Sequence, residues 1–526
     1  MQKRDKTFYI TTPLYYSSGK LHLGHCYTSV VCDCLARFKR KDGFDVFFLT
    51  GTDEHGQNIA KKAEEKGLSP KEFVDTLYVD IKKLWQLMRI SYDKFIRTTD
   101  DYHQATVQKI FEKLYNKGDI YKAEYEGWYC SPCESFWTEG QLTEGKCPDC
   151  NREVLKAKEE SYFFRLSKYA DRLLALYTEN PEFLQPYSRV NEMVNNFIKP
   201  GLVDLAVSRT SVTWGVPVPF DKNHSVYVWI DALSNYITAL GYASENDSLF
   251  KKYWPADVHM MAKEIVRFHS IIWPALLMAL DLPLPKHVYG HGWLLFGGDK
   301  MSKSKGNVVD PYFLVNRYGL DAIRYYLIRE VPFGNDGVYT TEALLNRFNS
   351  DLCNSLGNLV SRTTAMITQY FDGFVPRQGE LNDNDRELTN MATDCLNKCR
   401  TAIDAFNMPQ AMSEIFALVY RANKYIDENT PWVLAKEQDK RERLGTVLYN
   451  LIETIRFIAL LISPFLMNTA EEIYQRLNKG EVPDNFDSLL SFDGMKEGDK
   501  VTKGENLFAR INVAKELEEL DKLFNC

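Results

Sequence analysis

The feature that most constrains the fold is a nearly continuous apolar run from Phe44 to Thr50. A run of this kind is expected for a strand that is buried on both faces of a parallel sheet. It follows a strand-like stretch, Thr7 to Ile10, a turn-rich segment, Thr12 to Gly19, and a helical pattern from Leu21 to Lys41. Lys94–Arg97 is a third candidate strand after two more helical stretches. The β-α-β-α-β order predicts half of a doubly wound sheet, with a ligand crevice at the carboxyl ends of its strands.

The character of the sequence changes along its 526 residues, which are too many for one core. Residues 1–115 are predicted as the first half of a Rossmann-type sheet, and residues 116–228, richer in Cys, Trp and Tyr, as a connective insertion. Residues 229–345 resume the strand and helix alternation, and residues 346–526 have helical periodicity. The expected fold is α/β, a doubly wound parallel sheet with an insertion, followed by an all-α helical bundle.

Composition excludes little about partners. The net charge is -7, but net charge does not set the local field at one face, and a basic cluster at Arg37, Lys39, Arg40 and Lys41 could meet a phosphate backbone or be a solvated helix face. No run of about 18 uncharged apolar residues is present, so no membrane span is expected. The first residues lack the apolar stretch of a secretory signal, which favours a cytoplasmic protein.

Four of the 11 cysteines, Cys130, Cys133, Cys147 and Cys150, form a C-x2-C-x13-C-x2-C pattern. This spacing lets two knuckles close on one tetrahedral Zn²⁺, and four thiolate ligands leave no open position. The pattern therefore predicts a structural zinc site. A redox pair or unrelated thiols are the alternatives.

Two motifs point to nucleotide chemistry. His22-Leu-Gly-His25 lies where the first strand's loop enters a helix, whose first N–H groups favour an anion. Lys300-Met-Ser-Lys-Ser304 lies almost 280 residues later in a Gly-flanked stretch, where lysines can neutralise a polyphosphate. In this order the two motifs resemble the signature of class I aminoacyl-tRNA synthetases.

The flanking segments are similar to those of the methionyl-tRNA synthetases across essentially the whole chain. The segments are Thr12-Pro-Leu-Tyr-Tyr16, Phe48-Leu-Thr-Gly-Thr-Asp-Glu-His-Gly56, Trp214-Gly-Val-Pro-Val-Pro219, Tyr227-Val-Trp-Ile-Asp-Ala232, Asn358-Leu-Val-Ser-Arg362 and Thr430-Pro-Trp432. One departure is Ala262-Lys263-Glu264, where the family usually has Gly-Lys-Asp. The family's optional C-terminal module for tRNA binding and dimerisation is also not found before Cys526.

The resemblance implies roles for three sets of residues. The methionine-binding set is Leu14, Tyr16, Asp53, Trp229, Ala232, Tyr236, Ile265 and His269. The ATP-binding set is His22, Gly24, His25, Glu264, Lys300, Ser302 and Lys303, with His22, His25, Lys300 and Lys303 as the catalytic members. The anticodon-reading set is Asn358, Arg362 and Trp432, although the sequence alone favours a buried Trp432 after Pro431.

The implied reaction joins L-methionine to tRNA(Met) in two steps. Methionine's carboxylate attacks the α-phosphate of ATP to give methionyl-adenylate and pyrophosphate, and the 3′-terminal ribose of the tRNA then takes the methionyl group for translation initiation and elongation. The expected cofactors are one structural Zn²⁺ and the Mg²⁺ that accompanies ATP. A monomer is expected.

Three alternatives stay open at this point. Synthetases for isoleucine, valine or leucine carry an editing insertion about twice as long as residues 116–228, and a cysteine enzyme uses zinc in its substrate pocket. A nucleotidyltransferase that acts without tRNA shares the His-x-Gly-His motif but has no need of a long helical bundle. A tRNA-binding paralogue without catalysis is disfavoured by the intact motif at Lys300–Ser304 and by Asp53.

Overall fold

The computed structural model describes residues 6–130, 135–137, 139–148, 150–296, 299–300 and 309–524. The chain divides into two compact units. We call residues 1–21 with 45–292 the sheet unit, and residues 22–44 with 293–526 the helical unit. The four-segment division expected from the sequence stays a prediction.

The sheet unit is built on six parallel strands. In spatial order they are Lys94–Arg97, Asp45–Asp53, Thr7–Tyr16, Val258–Ala262, His287–His291 and Leu184–Gln185. Ile10 in the strand Thr7–Tyr16 and Phe48 in the strand Asp45–Asp53 are fully buried, as expected for strands of a parallel sheet that is covered on both faces. Thr7–Tyr16, the first strand in the sequence, lies between Asp45–Asp53 and Val258–Ala262, so the strand order reverses at this strand. A crevice outside the carboxyl ends of the strands at this point is where ligands of such sheets bind.

The helices of the sheet unit pack on this sheet and on the insertion, and two of them, Val228–Thr238 and Trp273–Ala279, are buried almost throughout. They are Gln57–Glu65, Pro70–Leu87, Asp101–Asn116, Ala170–Glu179, Tyr187–Met193, Val228–Thr238, Ser248–Tyr253 and Trp273–Ala279, with π-helical turns at Val194–Ile198 and Phe268–Ile272. Pro70–Leu87 begins with a capping box, because Ser69 and Glu72 exchange hydrogen bonds at its first turn.

The insertion forms two small antiparallel sheets. The first consists, in spatial order, of Ser135–Trp137, Ile120–Cys130, Leu155–Phe164 and Leu205–Ala206. The second consists of Pro217–Val218, Asp221–Val226 and Ser208–Arg209. The same stretch of chain also supplies Leu184–Gln185 to the edge of the central sheet.

The helical unit contains a bundle, a small sheet and the helix that carries the first histidine motif. Its helices are Leu23–Lys41, Pro311–Tyr318, Leu320–Arg329, Thr341–Arg347, Asn358–Phe371, Asp383–Asp404, Met408–Asn429, Pro431–Leu434, Arg441–Ile462, Met467–Arg476 and Val513–Phe524, with a π-helical stretch at Phe348–Gly357. Its strands are Leu294–Phe296, Asp299–Lys300 and Gly337–Tyr339. The predicted all-helical character of the C-terminal part is confirmed.

One segment, Gln438–Ile462, is long and apolar enough to cross a membrane, with a mean hydropathy of 1.5 over its most apolar window. Every residue from Leu444 to Ile462 is buried inside the helical unit. The apolar composition is therefore explained by packing, because a helix that is surrounded by others is apolar on all sides.

The structure confirms some element bounds and corrects others. Lys94–Arg97 is a strand as predicted. The turn-rich assignment of Thr12–Gly19 is wrong for its first half, because the first strand runs from Thr7 to Tyr16 through an irregular register between Thr11 and Leu14. The helix predicted from Leu21 begins at Leu23, since His22 is its N-cap.

Candidate active site

Four residues of the predicted methionine pocket contact one another directly in the sheet unit. The Tyr236 hydroxyl lies 2.7 Å from Nε2 of His269, and Nδ1 of His269 lies 2.9 Å from the carbonyl oxygen of Ile265. The rings of Trp229 and His269 meet edge to face, with centroids 6.5 Å apart. Tyr236 and His269 are 1% and 2% exposed, so this is a nearly dry polar pair in an apolar wall.

The hydrogen bonds of His269 fix its protonation. A carbonyl oxygen can only accept, so Nδ1 carries the proton and donates to Ile265, and Nε2 accepts from the Tyr236 hydroxyl. Burial disfavours the imidazolium and lowers the pKa of His269 to about 4. The pair therefore presents no charge at neutral pH.

A second buried histidine supports Tyr236. The ring of His259 lies 4.1 Å from that of Tyr236, centroid to centroid. The indole N–H of Trp273 donates to Nε2 of His259 at 3.2 Å, so Nδ1 carries the proton and donates to the Thr11 hydroxyl at 2.8 Å. Burial lowers the pKa of His259 well below its ordinary value. Sequence reasoning missed this residue, whose only signal is a polar side chain in an apolar strand.

One helix, Val228–Thr238, carries three residues of the predicted pocket: Trp229, Ala232 and Tyr236. Trp229 stacks on Phe268 with ring centroids 3.5 Å apart and an interplanar angle of 8°. Phe268 was not among the predicted site residues, although it immediately precedes His269. The two rings form a flat apolar wall of the kind that suits a polarizable side chain.

The remaining pocket residues lie at the carboxyl ends of the two central strands. Tyr16 and Asp53 are paired across the sheet, as are Leu14 and Gly51. A side chain at Gly51 could not be accommodated, because its Cβ would lie 2.0 Å from the carbonyl oxygen of Ile96. Asp53 is partly buried and ends the strand Asp45–Asp53, at the crevice expected for a doubly wound sheet.

The residue after Asp53 is held by a buried network that sequence reasoning did not assign. Glu54 is fully buried, and one of its oxygens accepts from the Arg97 guanidinium at 2.8 Å and from the Thr52 hydroxyl at 2.7 Å. The other accepts from the Thr99 hydroxyl at 2.5 Å, and the Trp214 indole donates to its backbone carbonyl at 2.5 Å. These bonds fix the loop that follows the second strand.

The histidine motif begins the helix Leu23–Lys41 of the helical unit. His22 is the N-cap: its Nδ1 accepts from the Gly24 backbone N–H at 3.2 Å, and Nδ1 of His25 accepts from the His22 backbone N–H at 3.1 Å. The two rings lie 3.9 Å apart, centroid to centroid. A Cβ on Gly24 would lie 3.0 Å from the His22 ring, so glycine leaves room for the cap itself.

The lysine motif is described only in part. Asp299–Lys300 is a short strand paired with Leu294–Phe296, while Ser302, Lys303 and the side chain of Lys300 lie outside the described residues. Glu264 is exposed in a 3₁₀ turn directly after the strand Val258–Ala262. The pKa of His291, on the neighbouring strand, is lowered by burial, and the Glu264 carboxylate opposes that shift.

Three of the four predicted metal ligands come together in the insertion. The Sγ atoms of Cys130, Cys147 and Cys150 all lie within 4.8 Å of one another, and those of Cys130 and Cys150 are 3.5 Å apart. With metal–sulfur bonds of about 2.3 Å, tetrahedral thiolates lie about 3.8 Å apart, so the cluster fits a metal ion. Cys133 lies outside the described residues.

The predicted anticodon residues lie near one another in the bundle. Asn358 is exposed at the start of Asn358–Phe371, and the Arg362 guanidinium lies 5.8 Å from the ring centroid of Trp432. Arg362 also donates to Asp427 at 3.1 Å. The prediction from the sequence alone that Trp432 is buried is wrong, because this residue is 41% exposed.

Comparisons with known proteins identify the family. Residues 8–158 and 151–364 match the family described as tRNA synthetases class I (M), and residues 375–525 match the anticodon binding domain of methionyl tRNA ligase. The chain belongs to the class I aminoacyl-tRNA synthetases, the class that its parallel sheet and histidine motif indicate.

Relatives narrow the class. Methionine–tRNA ligases of Caldanaerobacter subterraneus and Clostridium tetani are 63% and 60% identical over 98% of the chain, which spans 81% and 80% of their lengths. The structure of Mycobacterium tuberculosis methionyl-tRNA synthetase in complex with methionyl-adenylate matches with a TM-score of 0.91 and 40% identity, over 96% of this chain and 100% of that one. The chain is therefore a member of the methionine–tRNA ligase family.

Proposed function

We propose that the crevice of the sheet unit binds L-methionine and activates it with ATP to methionyl-adenylate, which the enzyme then transfers to tRNA(Met). The observation that carries the proposal is the dry, uncharged Tyr236–His269 pair beside the Trp229–Phe268 wall. It suits an apolar side chain with one weakly polar atom.

The pocket divides the substrate into a charged and an apolar end. The Asp53 carboxylate would bind the methionine ammonium in a charge-assisted hydrogen bond. Trp229, Phe268 and the neighbouring Leu14, Tyr16, Ala232 and Ile265 would enclose the thioether side chain. Tyr236 and His269 would meet the sulfur, and because His269 is neutral they would not favour an anionic side chain.

The ATP-binding set acts through position and charge. The start of the helix Leu23–Lys41 favours an anion, and His22 and His25 are already oriented by the cap. Lys300, Ser302 and Lys303 would grip the triphosphate, and Glu264 would contact the nucleoside. Mg²⁺ bound to ATP would neutralise further phosphate charge. Neither chemical step requires an enzyme nucleophile, so catalysis is positioning plus electrostatic stabilisation.

Lys303→Ala tests the lysine motif. Loss of one contact to the developing phosphate charge should reduce adenylate formation by about 100-fold or more. The dissociation constant for methionine, measured separately by equilibrium dialysis, should change by less than twofold. Turnover close to that of the wild type would remove this lysine from the mechanism.

The cysteine cluster would hold one structural Zn²⁺ through Cys130, Cys133, Cys147 and Cys150. Four thiolates saturate a tetrahedral ion, so the metal would stabilise the insertion and take no part in the reaction. The proposal is supported by three sulfurs already at ligand spacing. Zinc measured per purified chain should approach one equivalent.

The exposed anticodon residues would read the CAU anticodon. Trp432 offers a face on which an unpaired base can stack, while Asn358 and Arg362 offer hydrogen bonds to base edges. The proposal also includes a single chain that acts as a monomer in the cytoplasm.

Pyrophosphate exchange into ATP, run with each of the twenty amino acids and without tRNA, tests the activation step. Exchange with methionine alone is expected. Exchange with a different amino acid would overturn the pocket assignment, and no exchange with any of them would contradict tRNA-independent activation.

A further inference from the structure

A buried carboxylate joins the two sides of the methionine pocket. Asp231 lies in the first turn of the helix Val228–Thr238, one residue before Ala232, and is 1% exposed. Its Oδ2 accepts from Nδ1 of His55 at 2.6 Å, and its Oδ1 accepts from Nε2 of His103 at 2.8 Å. Both histidines are buried as well, at 3% and 0% exposure. No member of this cluster was assigned a role from the sequence.

Each member belongs to a different element of the sheet unit. His55 lies two residues after Asp53, in the loop that ends the second strand, and its backbone N–H faces the Asp53 carboxylate at 3.5 Å. His103 lies on the helix Asp101–Asn116. Asp231 therefore ties the strand end that carries the ammonium-binding carboxylate to the helix that carries Trp229 and Tyr236.

The surroundings make this bridge stiff. Nδ1 of His103 is hydrogen bonded to the hydroxyl of Thr238 at 2.7 Å. Thr238 is the last residue of the helix Val228–Thr238, whose first turn contains Asp231, so His103 holds this helix at both ends. On the other side, the Trp214 ring meets that of His55 edge to face at 5.4 Å. Burial alone would raise the pKa of Asp231. The two imidazoles lower this pKa by more than burial raises it, so the net shift is downward and the carboxylate remains charged.

We propose that Asp231 is a positioning residue for methionine, whose bridge to His55 and His103 sets the spacing between the Asp53 carboxylate and the Trp229–Tyr236 helix. The inference rests on the proposed function. Methionine must meet both sides at once, and the spacing must be right to a fraction of an ångström before both contacts form. Asp231 itself does not touch the substrate.

The first test is Asp231→Asn. Asparagine has the same size as aspartate, but its NH₂ group is a donor and cannot accept the hydrogen bond from one of the two imidazole N–H groups. In pyrophosphate exchange the KM for methionine should rise at least tenfold, while the KM for ATP changes by less than twofold. Asp119→Asn is the matched control. Asp119 is also a fully buried carboxylate of the sheet unit, and its side chain accepts from Lys168 and Tyr169.

The second test uses His55 and remains informative if Asp231→Asn does not fold. His55→Ala removes the donor and should also raise the KM for methionine at least tenfold. His55→Asn places an amide N–H near the position of Nδ1, and its KM should lie at least fivefold closer to that of the wild type. A purely structural role would not give this split between substrates together with rescue by the amide.

The outcomes separate the inference from the function on which it rests. A wild-type chain that does not activate methionine, or an Asp53→Ala variant with an unchanged KM for methionine, overturns the pocket assignment and the inference with it. If the pocket assignment holds, an unchanged KM for methionine in His55→Ala overturns the inference alone. It is also overturned if the KM values for methionine and ATP rise together, or if Asp119→Asn has the same effect.

Discussion

The proposed amino-acid pocket and the proposed anticodon site would achieve recognition in opposite ways. In the pocket, Tyr236 and His269 are almost fully buried and their hydrogen bonds are already satisfied by the protein. In the bundle, Trp432 is 41% exposed and Arg362 lies beside it. A small ligand with an apolar side chain gains from a rigid, dry pocket, because few protein groups have to be ordered when it binds. Unpaired RNA bases can instead be bound by an aromatic face that water reaches in the free protein.

The difference also lies in how charge is handled. Around the pocket, buried carboxylates are paired: Glu54 with Arg97, and Asp231 with two histidines. At the anticodon site, the Arg362–Asp427 pair is exposed and lies at 3.1 Å, where solvent screens it. An exposed pair of this kind contributes little to stability, so under the proposed function Arg362 could exchange Asp427 for an RNA partner at low cost.

Asp53→Ala should have the largest effect on activity, and this effect should be confined to the binding of methionine. Removing one partner of a sequestered charge pair costs roughly 2–5 kcal/mol, so kcat/KM for methionine should fall about 30-fold or more in pyrophosphate exchange. The KM for ATP is the internal control. A loss below fivefold would mean that the ammonium is bound elsewhere.

Trp432→Ala should have an effect only when tRNA is present. Stacking of one base on an aromatic ring contributes about 1–3 kcal/mol, so kcat/KM for tRNA charging should fall by roughly 5- to 150-fold. Exchange without tRNA should fall by less than twofold. Phe374→Ala, which removes another ring that is about half exposed in the helical unit, is the matched control and should leave charging unchanged. Equal losses in the two variants would contradict a specific role for Trp432.

Sequence reasoning proposed the residues of both sites but not the contacts that support them. The apolar run at Phe44–Thr50 and the cysteine spacing were readable because their signals are local. The strand Leu184–Gln185 was not, because two residues become a strand only through pairing with Val288 and Tyr289. The cluster of Asp231, His55 and His103 joins residues up to 176 positions apart, which no local pattern reveals.

The pH dependence of stability tests whether the proposed pocket is uncharged, through the buried side chain of His269. His269 has a folded-state pKa of about 4 because of burial, whereas in the unfolded chain it titrates near 6.5. Below pH 6.5 the unfolded state binds the extra proton, so stability falls as the pH falls from 6.5 towards 4. Between pH 7 and pH 5 the free energy of unfolding of the wild type should drop about 2 kcal/mol more than that of His269→Gln. Urea unfolding at both pH values measures this, and equal drops would contradict a lowered pKa of His269 in the folded protein.

The separation of anticodon recognition from methionine recognition can be measured with two tRNAs that differ only in one anticodon nucleotide. Charging of each tRNA is compared with pyrophosphate exchange on the same enzyme. We expect kcat/KM for charging to fall at least tenfold when the CAU anticodon is altered, while exchange with methionine is the same in both samples. Equal charging of the two tRNAs would contradict the claim that the exposed residues of the bundle read the anticodon while the buried pocket reads methionine.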